Sequence, residues 1–168
     1  MNNLIITAIG SDRPGIVSEL SGIITTHGGN VEESRMSRLG SDFAIIMLVS
    51  VSSDWEESLG VALQSINDLT ISTKHTQIQE IGDNKNYQIN LNGADNEGIV
   101  KVLSKYLAEK SINILEMETH ITQAPISGTP LFNLNASVSI PNDMEEKVIQ
   151  SDLSQIAQKL GVEIHLGN

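Results

Sequence analysis

The chain has 168 residues, 39% hydrophobic, 18% charged and only 3% aromatic, which is material for one domain or two small ones. Asp and Glu number 21 against 10 Lys and Arg, so the net charge of -11 repels polyanions and argues against direct nucleic-acid binding. The absence of cysteine excludes disulfides, thiolate catalysis and iron-sulfur clusters, while no apolar run approaches the roughly 18 residues that span a bilayer. The start at Met1-Asn2-Asn3-Leu4 carries no basic and apolar leader, so the expected compartment is the cytoplasm.

Residues 4–9 are apolar at nearly every position, which predicts a central strand covered on both faces. After the turn from Gly10 to Gly15, the stripe Ile16, Val17, Leu20, Ile23 and Ile24 predicts an amphipathic helix that stops at Gly28-Gly29. Residues 31–39 are polar and suit an edge strand, whereas residues 43–51 are apolar and suit an interior one, with Gly40-Ser41-Asp42 as the hairpin turn between them. Asp54 is the expected cap of a second helix burying Trp55, Leu59, Ala62, Leu63 and Ile66, and residues 70–81 form the last strand. The order is βαββαβ.

The second half writes the same order again. Gly10-Ser11-Asp12-Arg13-Pro14-Gly15-Ile16-Val17 aligns with Gly93-Ala94-Asp95-Asn96-Glu97-Gly98-Ile99-Val100 at an offset of 83 residues, which also carries Leu20-Ser21 onto Leu103-Ser104 and Asn30 onto Asn113. Farther on, Phe43 matches Phe132 and Asp54 matches Asp143 at an offset of 89, so a six-residue insertion falls within residues 124–130. Strands are expected at 87–91, 112–122, 131–140 and 162–166, with helices carrying Ile99, Val100, Leu103 and Leu107 and spanning 144–160. The polar stretch 82–86 reads as a linker, dividing domains 1–83 and 84–168. The fold class is α+β, two tandem ferredoxin-like βαββαβ plaits, each an antiparallel four-stranded sheet with two helices on one face.

The candidate site is the turn from first strand to first helix. A helix N-terminus offers unpaired backbone N–H groups and the positive end of its dipole, so Asp12, Arg13, Pro14, Gly15 and Ile16 frame a place for a small carboxylate. Asn30 offers an amide to the same ligand. The same residues also suit purely structural work, with Asp12 capping the helix, Gly15 serving packing and Asn30 closing a turn. In the second copy, Asp95, Asn96, Gly98, Ile99 and Asn113 occupy the matching positions, but Glu97 at the helix start repels an incoming anion, which makes the first copy the better carboxylate site.

No catalytic motif is present: there is no GxSxG elbow, P-loop or GxGxxG. His27, His75, His120 and His165 lie far apart with no metal-ligand spacing, so neither metal nor cofactor is expected. Glu32-Glu33 and Asp143, Glu145 and Glu146 read as solvated surface. Asn135-Ala136-Ser137 matches a glycosylation acceptor but falls within a strand of a chain expected to carry no secretion signal, so no glycan is expected.

The unit with Asp12-Arg13-Pro14-Gly15-Ile16-Val17 at its first turn and Gly29-Asn30-Val31 after its first helix resembles the ACT domain, a small-molecule-sensing module of amino-acid metabolism. Asp95, Gly98-Ile99-Val100 and Asn113-Ile114 carry the likeness in the second copy. Two such units filling the chain are similar to the glycine cleavage system transcriptional repressor family. That resemblance implies a cytoplasmic bacterial regulator, without enzymatic activity, which senses a small amino acid, glycine foremost, and acts through a DNA-binding transcription factor. The ligand positions it implies are those named above, and it implies pairing of ACT units within the chain, in a homodimer, or both. Two alternatives are an amino-acid-binding regulatory subunit of a metabolic enzyme and an enzyme in its own right, either acylphosphatase-like or a remnant of a formyltetrahydrofolate deformylase.

Overall fold

The computed structural model describes residues 1–78, 84–125 and 127–167. In the first strand, β1 (Asn2–Ser11), alternation decides which side chains are enclosed: Leu4, Ile6 and Ala8 are fully buried while Ile5, Thr7 and Ile9 point to the opposite face. The expectation of a strand covered on both faces is thereby corrected. β1 is central in its sheet, but helices cover only one side of it.

The elements then follow as α1 (Ile16–Thr26), β2 (Asn30–Leu39), β3 (Asp42–Val51), α2 (Ser53–Gln64) and β4 (Leu69–Thr76). The sheet order is β2-β3-β1-β4, antiparallel throughout, with the polar strand at the edge and the apolar one inside. Ile16, Leu20 and Ile24 of α1 and Leu59 and Leu63 of α2 close one core with Leu4, Ile6, Ala8, Ile45, Met47, Val49 and Val51. Both helices therefore lie on one face.

Two details of α2 differ from expectation. Its cap is Ser52, whose side chain accepts from the Asp54 backbone N–H at 3.3 Å, so Asp54 lies in the first turn, where it complements the dipole. Trp55 is 50% exposed and lies beside Gly28 with an edge contact to the His27 ring, so it packs on the end of α1 and not in the core. Ser52→Ala should destabilise the first unit by about 1 kcal/mol in urea unfolding, the usual worth of a serine cap, whereas Asp54→Ala should cost less.

The second unit repeats the plan with β5 (Lys85–Ala94), α3 (Ile99–Glu109), β6 (Asn113–Gln123), β7 (Pro130–Ile140), α4 (Glu146–Leu160) and β8 (Val162–Gly167), in sheet order β6-β7-β5-β8. Its core joins Tyr87, Ile89 and Leu91 to Leu103, Leu107, Ile149 and Leu153. Both edge strands bulge at the same place, between Val31 and Glu33 and between Ile114 and Glu116. The insertion lengthens the second hairpin: each strand grows from 10 to 11 residues and the loop from two residues to six.

The chain divides into the units Met1–Glu80 and Ile81–Asn168. Of the expected linker, Gly82 and Asp83 lie outside the described residues, as do the end of the last strand at 79–81 and Ile126 of the insertion. Lys85 and Asn86 belong to β5 rather than to the linker, because their backbones pair with Ile140 and Ser139. Among the described residues no helix is long and apolar enough to cross a membrane.

Candidate functional site

In both units the first helix begins on a glycine in left-handed conformation, Gly15 at φ 94° and Gly98 at φ 83°, and neither helix receives a side-chain cap. The structural role suggested for Asp12 is thus not seen. Its carboxylate lies 3.4 Å from Arg38 instead, and its backbone N–H donates to the Ser41 carbonyl at 3.0 Å, tying the turn to the hairpin. Glycine is required at both caps by backbone angle and not by crowding, since a Cβ at either would meet nothing within 4 Å. At each turn the space beside the glycine is open, and no side chain caps the helix N-terminus. This is the arrangement that attracts a carboxylate.

Arg13 is already engaged. Its Nη2 lies 2.6 Å from Glu19 and 3.2 Å from Asp68, to which its Nε also donates. The hydrogen bond to Asp68 and then that to Glu19 push the guanidinium pKa further up, while Arg13 holds the Asp68 carboxyl below its usual range. Asn96, at the matching position, donates to the Leu160 carbonyl at 3.1 Å. In both copies this residue ties the turn to the far end of the second helix, in the first to Asp68 just beyond α2 and in the second to Leu160, the last residue of α4. Arg13 thus offers a carboxylate less net attraction than its charge implies.

Asn30 sits at the other end of the plait. β1 pairs its Ser11 with Asp42, whereas Asn30 pairs with Ser50, eight residues farther along β3. At roughly 3.3 Å per residue that is about 26 Å, so the turn and Asn30 of one unit do not touch one small ligand. Asn113 relates to its own turn in the same way, pairing with Ser139 at the far end of β7. The two asparagines are not equivalent. Asn30 Nδ2 donates to Glu32 Oε1 at 3.0 Å, and that oxygen also accepts from Ser50 Oγ at 2.5 Å, which lowers the Glu32 pKa. The residue at the matching bulge of the second unit is Leu115, and among the described residues the Asn113 amide has no partner.

Glu32, Asp68 and Glu19 are thus site residues that sequence reasoning missed. Glu32 was read as solvated surface, and only the bulge, which has no mark in the sequence, turns it toward Asn30. A separate recess of about 250 Å³ opens between α2 and β4, lined among others by Glu56, Gly60, Lys74 and His75, with His75 Nε2 2.7 Å from Glu56. Among the described residues no group of three His, Asp or Glu side chains is placed to hold a metal ion.

These features define a tandem of ferredoxin-like plaits, each opening on a glycine-gated, uncapped helix N-terminus. Residues 2–74 and 86–167 both match the ACT domain, and the chain belongs to that family. A 47-residue stretch is 49% identical to the glycine cleavage system transcriptional repressor of Escherichia coli K12, covering 28% of this chain and 25% of that protein, so the match spans a quarter of the relative's length. A UPF0237 protein of Methanococcus maripaludis is 34% identical over 84 residues, 46% of this chain and 92% of its own. Among solved structures, a protein of unknown function from Galdieria sulphuraria is 35% identical with a TM-score of 0.87, covering 99% of this chain and 97% of that one. A structure provisionally named glycine cleavage system transcriptional repressor shares the fold, with a TM-score of 0.68 at 22% identity over 99% and 96% of the two chains.

Proposed function

We propose that this ACT-domain protein is a non-enzymatic regulator in the cytoplasm of a bacterium, which senses a small amino acid, glycine foremost, and controls glycine cleavage through a DNA-binding partner protein. The observation that carries the reading is the recurrence, in both units, of a helix N-terminus gated by a left-handed glycine and left without a side-chain cap. α4 also starts without a side-chain cap, but only α1 and α3 do so behind a left-handed glycine at the same place in the repeat, which leaves their first N–H donors for a ligand. The net charge of -11 favours a protein partner over DNA itself. Since turn and asparagine lie at opposite ends of a unit, a ligand held by both draws one of them from another unit, in the same chain or in a second copy, and a homodimer belongs to the reading.

A thermal-shift series against the common amino acids at millimolar concentration tests this. A ligand at 100 times its dissociation constant adds about 2.7 kcal/mol to stability, a rise of several degrees. Glycine or a near analogue should give that rise; no shift with any amino acid would overturn the sensing role. The second reading, a regulatory subunit of a metabolic enzyme, rests on the same turns and differs only in the partner. Affinity purification from native extract separates the two, since one yields a DNA-binding factor and the other an enzyme.

A further inference from the structure

The outer faces of the two sheets, turned away from the helices, are built from opposite chemistry. In the first unit the rungs of β1 and β3 on that face pair Ile5 with Leu48, Thr7 with Ile46 and Ile9 with Ala44. Ile9 is 53% and Ile46 45% exposed. The same three rungs of the second unit pair Gln88 with Ser137, Asn90 with Asn135 and Asn92 with Asn133. Two of those amides are joined, Asn92 Nδ2 donating to Asn133 Oδ1 at 2.5 Å and Asn133 Nδ2 to Thr122 Oγ1 at 2.9 Å. The second unit shows that a plait of this sequence repeat stands with a polar outer face, so the fold does not require the apolar one.

The apolar face is also charged in a particular way. On the rung of Ile5 and Leu48, the flanking residue on β2 is Glu33 and the one on β4 is Lys74. Glu33 has Arg35 of its own strand at 3.0 Å, while Lys74 has no ion-pair partner among the described residues. An acid on one flank and a base on the other, with apolar residues between, is a self-complementary pattern. A two-fold axis parallel to the strands lays the Glu33 side of one copy over the Lys74 side of the other, twice, and sets Ile5 over Leu48.

We propose that the outer face of the first sheet is the contact between two copies of this chain, closed by apolar packing around Ile5, Ile9, Ile46 and Leu48 and oriented by Glu33 against the other copy's Lys74. Four strands about 4.8 Å apart and eight rungs at about 3.3 Å make a footprint of roughly 500 Å² per copy. The total of about 1,000 Å² stands at the lower limit for a specific interface, so the dimer is reversible and its population depends on concentration. The inference goes beyond the proposed function and is independent of the amino acid bound: a two-fold axis parallel to the strands keeps the Gly15 turns of both copies at one end and Asn30 at the other, so this contact does not bring a turn to the other copy's Asn30.

Sedimentation equilibrium from about 1 to about 100 μM, the range of a weak, reversible pair, tests it. The chain should be dimeric at the upper end, Ile46→Lys monomeric throughout, and Lys74→Glu at least tenfold weaker. The double variant Glu33→Lys/Lys74→Glu should return the dissociation constant to within about threefold of the starting value, which a face that merely aggregates would not do. Asn135→Lys on the other sheet should change nothing. Circular dichroism verifies that each variant is folded, as expected for exposed positions. No association over this range, or a dimer indifferent to both Ile46→Lys and Lys74→Glu, would overturn the proposal. A glycine thermal shift recorded on the same samples reports the amino-acid site separately, so either reading can fail while the other stands.

Discussion

Gly10→Ala and Gly93→Ala should each destabilise their unit by about 3 kcal/mol, the upper part of the range for overpacked positions. A Cβ at Gly10 would stand 2.3 Å from the Asp68 backbone oxygen and 2.7 Å from Leu69 Cδ2, and one at Gly93 would stand 2.6 Å from Val162 Cγ1 and 2.8 Å from its Cα. In both units the first strand ends where the last strand begins, Gly10 opposite Leu69 and Gly93 opposite Val162, and only a residue without a side chain lets the two backbones approach. A flexible side chain tip would yield, but backbone atoms yield only by moving the strand. For units of about 80 residues, 1 kcal/mol corresponds to roughly 4–8 °C, so midpoints should fall by about 12–24 °C. Asp68 also holds Arg13, so the Gly10 variant should loosen the turn as well. Gly22→Ala is the control of opposite sign, because a Cβ there meets nothing within 4 Å in mid-helix and alanine gains about 0.5–1 kcal/mol. Thermal unfolding of the three variants decides it: a midpoint unchanged in Gly10→Ala would mean that the approach is not as close as described.

The glycines show what the sequence made legible. The offset of 83 residues exposed the repeat because glycine, aspartate and the apolar helix stripe recur together, and the structure repeats at that offset even in the bulges of β2 and β6. What the pattern could not separate was the reason for each glycine: Gly10 and Gly93 answer to crowding, Gly15 and Gly98 to backbone angle. The topology was legible because edge and interior strands differ in polarity. Once the order βαββαβ stands, each element reverses direction, and Asn30 at the foot of β2 is necessarily remote from a turn at the head of β1. Pairings across long sequence distances left no trace. Arg13 and Asp68 are 55 residues apart, and nothing local marks either as the other's partner. Trp55 misled for a related reason: helical spacing fixes the direction in which a side chain points, while what packs against the helix there decides whether it is enclosed. The apolar run in β1 was read as double coverage because burial in a fold and exposure at a docking face look alike in composition.

Gly15→Asp should abolish the stabilisation of the protein by glycine, whereas Gly15→Ala should retain it. Both variants carry the strain of a side-chain-bearing residue at φ 94°, about 1–2 kcal/mol, and neither meets a neighbouring atom at its Cβ. Without ligand the aspartate variant should fall by about 1 kcal/mol less than the alanine variant, because its carboxylate can cap the helix. The difference between them is a carboxylate placed where a ligand's carboxylate would accept from the first N–H groups of α1. Such a group caps the helix itself, satisfying the donors and cancelling the positive end of the dipole, and it repels a second anion. Under conditions where glycine adds about 2.7 kcal/mol to the unaltered chain, the aspartate variant should show no shift and the alanine variant most of it. The matching pair at Gly98 weighs the two copies against each other, since Glu97 already places a carboxylate beside that turn while Arg13 is largely neutralised by Glu19 and Asp68. A full glycine shift in folded Gly15→Asp, lost in Gly98→Asp, would move the site to the second unit. A full shift in both variants would remove the helix N-termini from the binding site altogether.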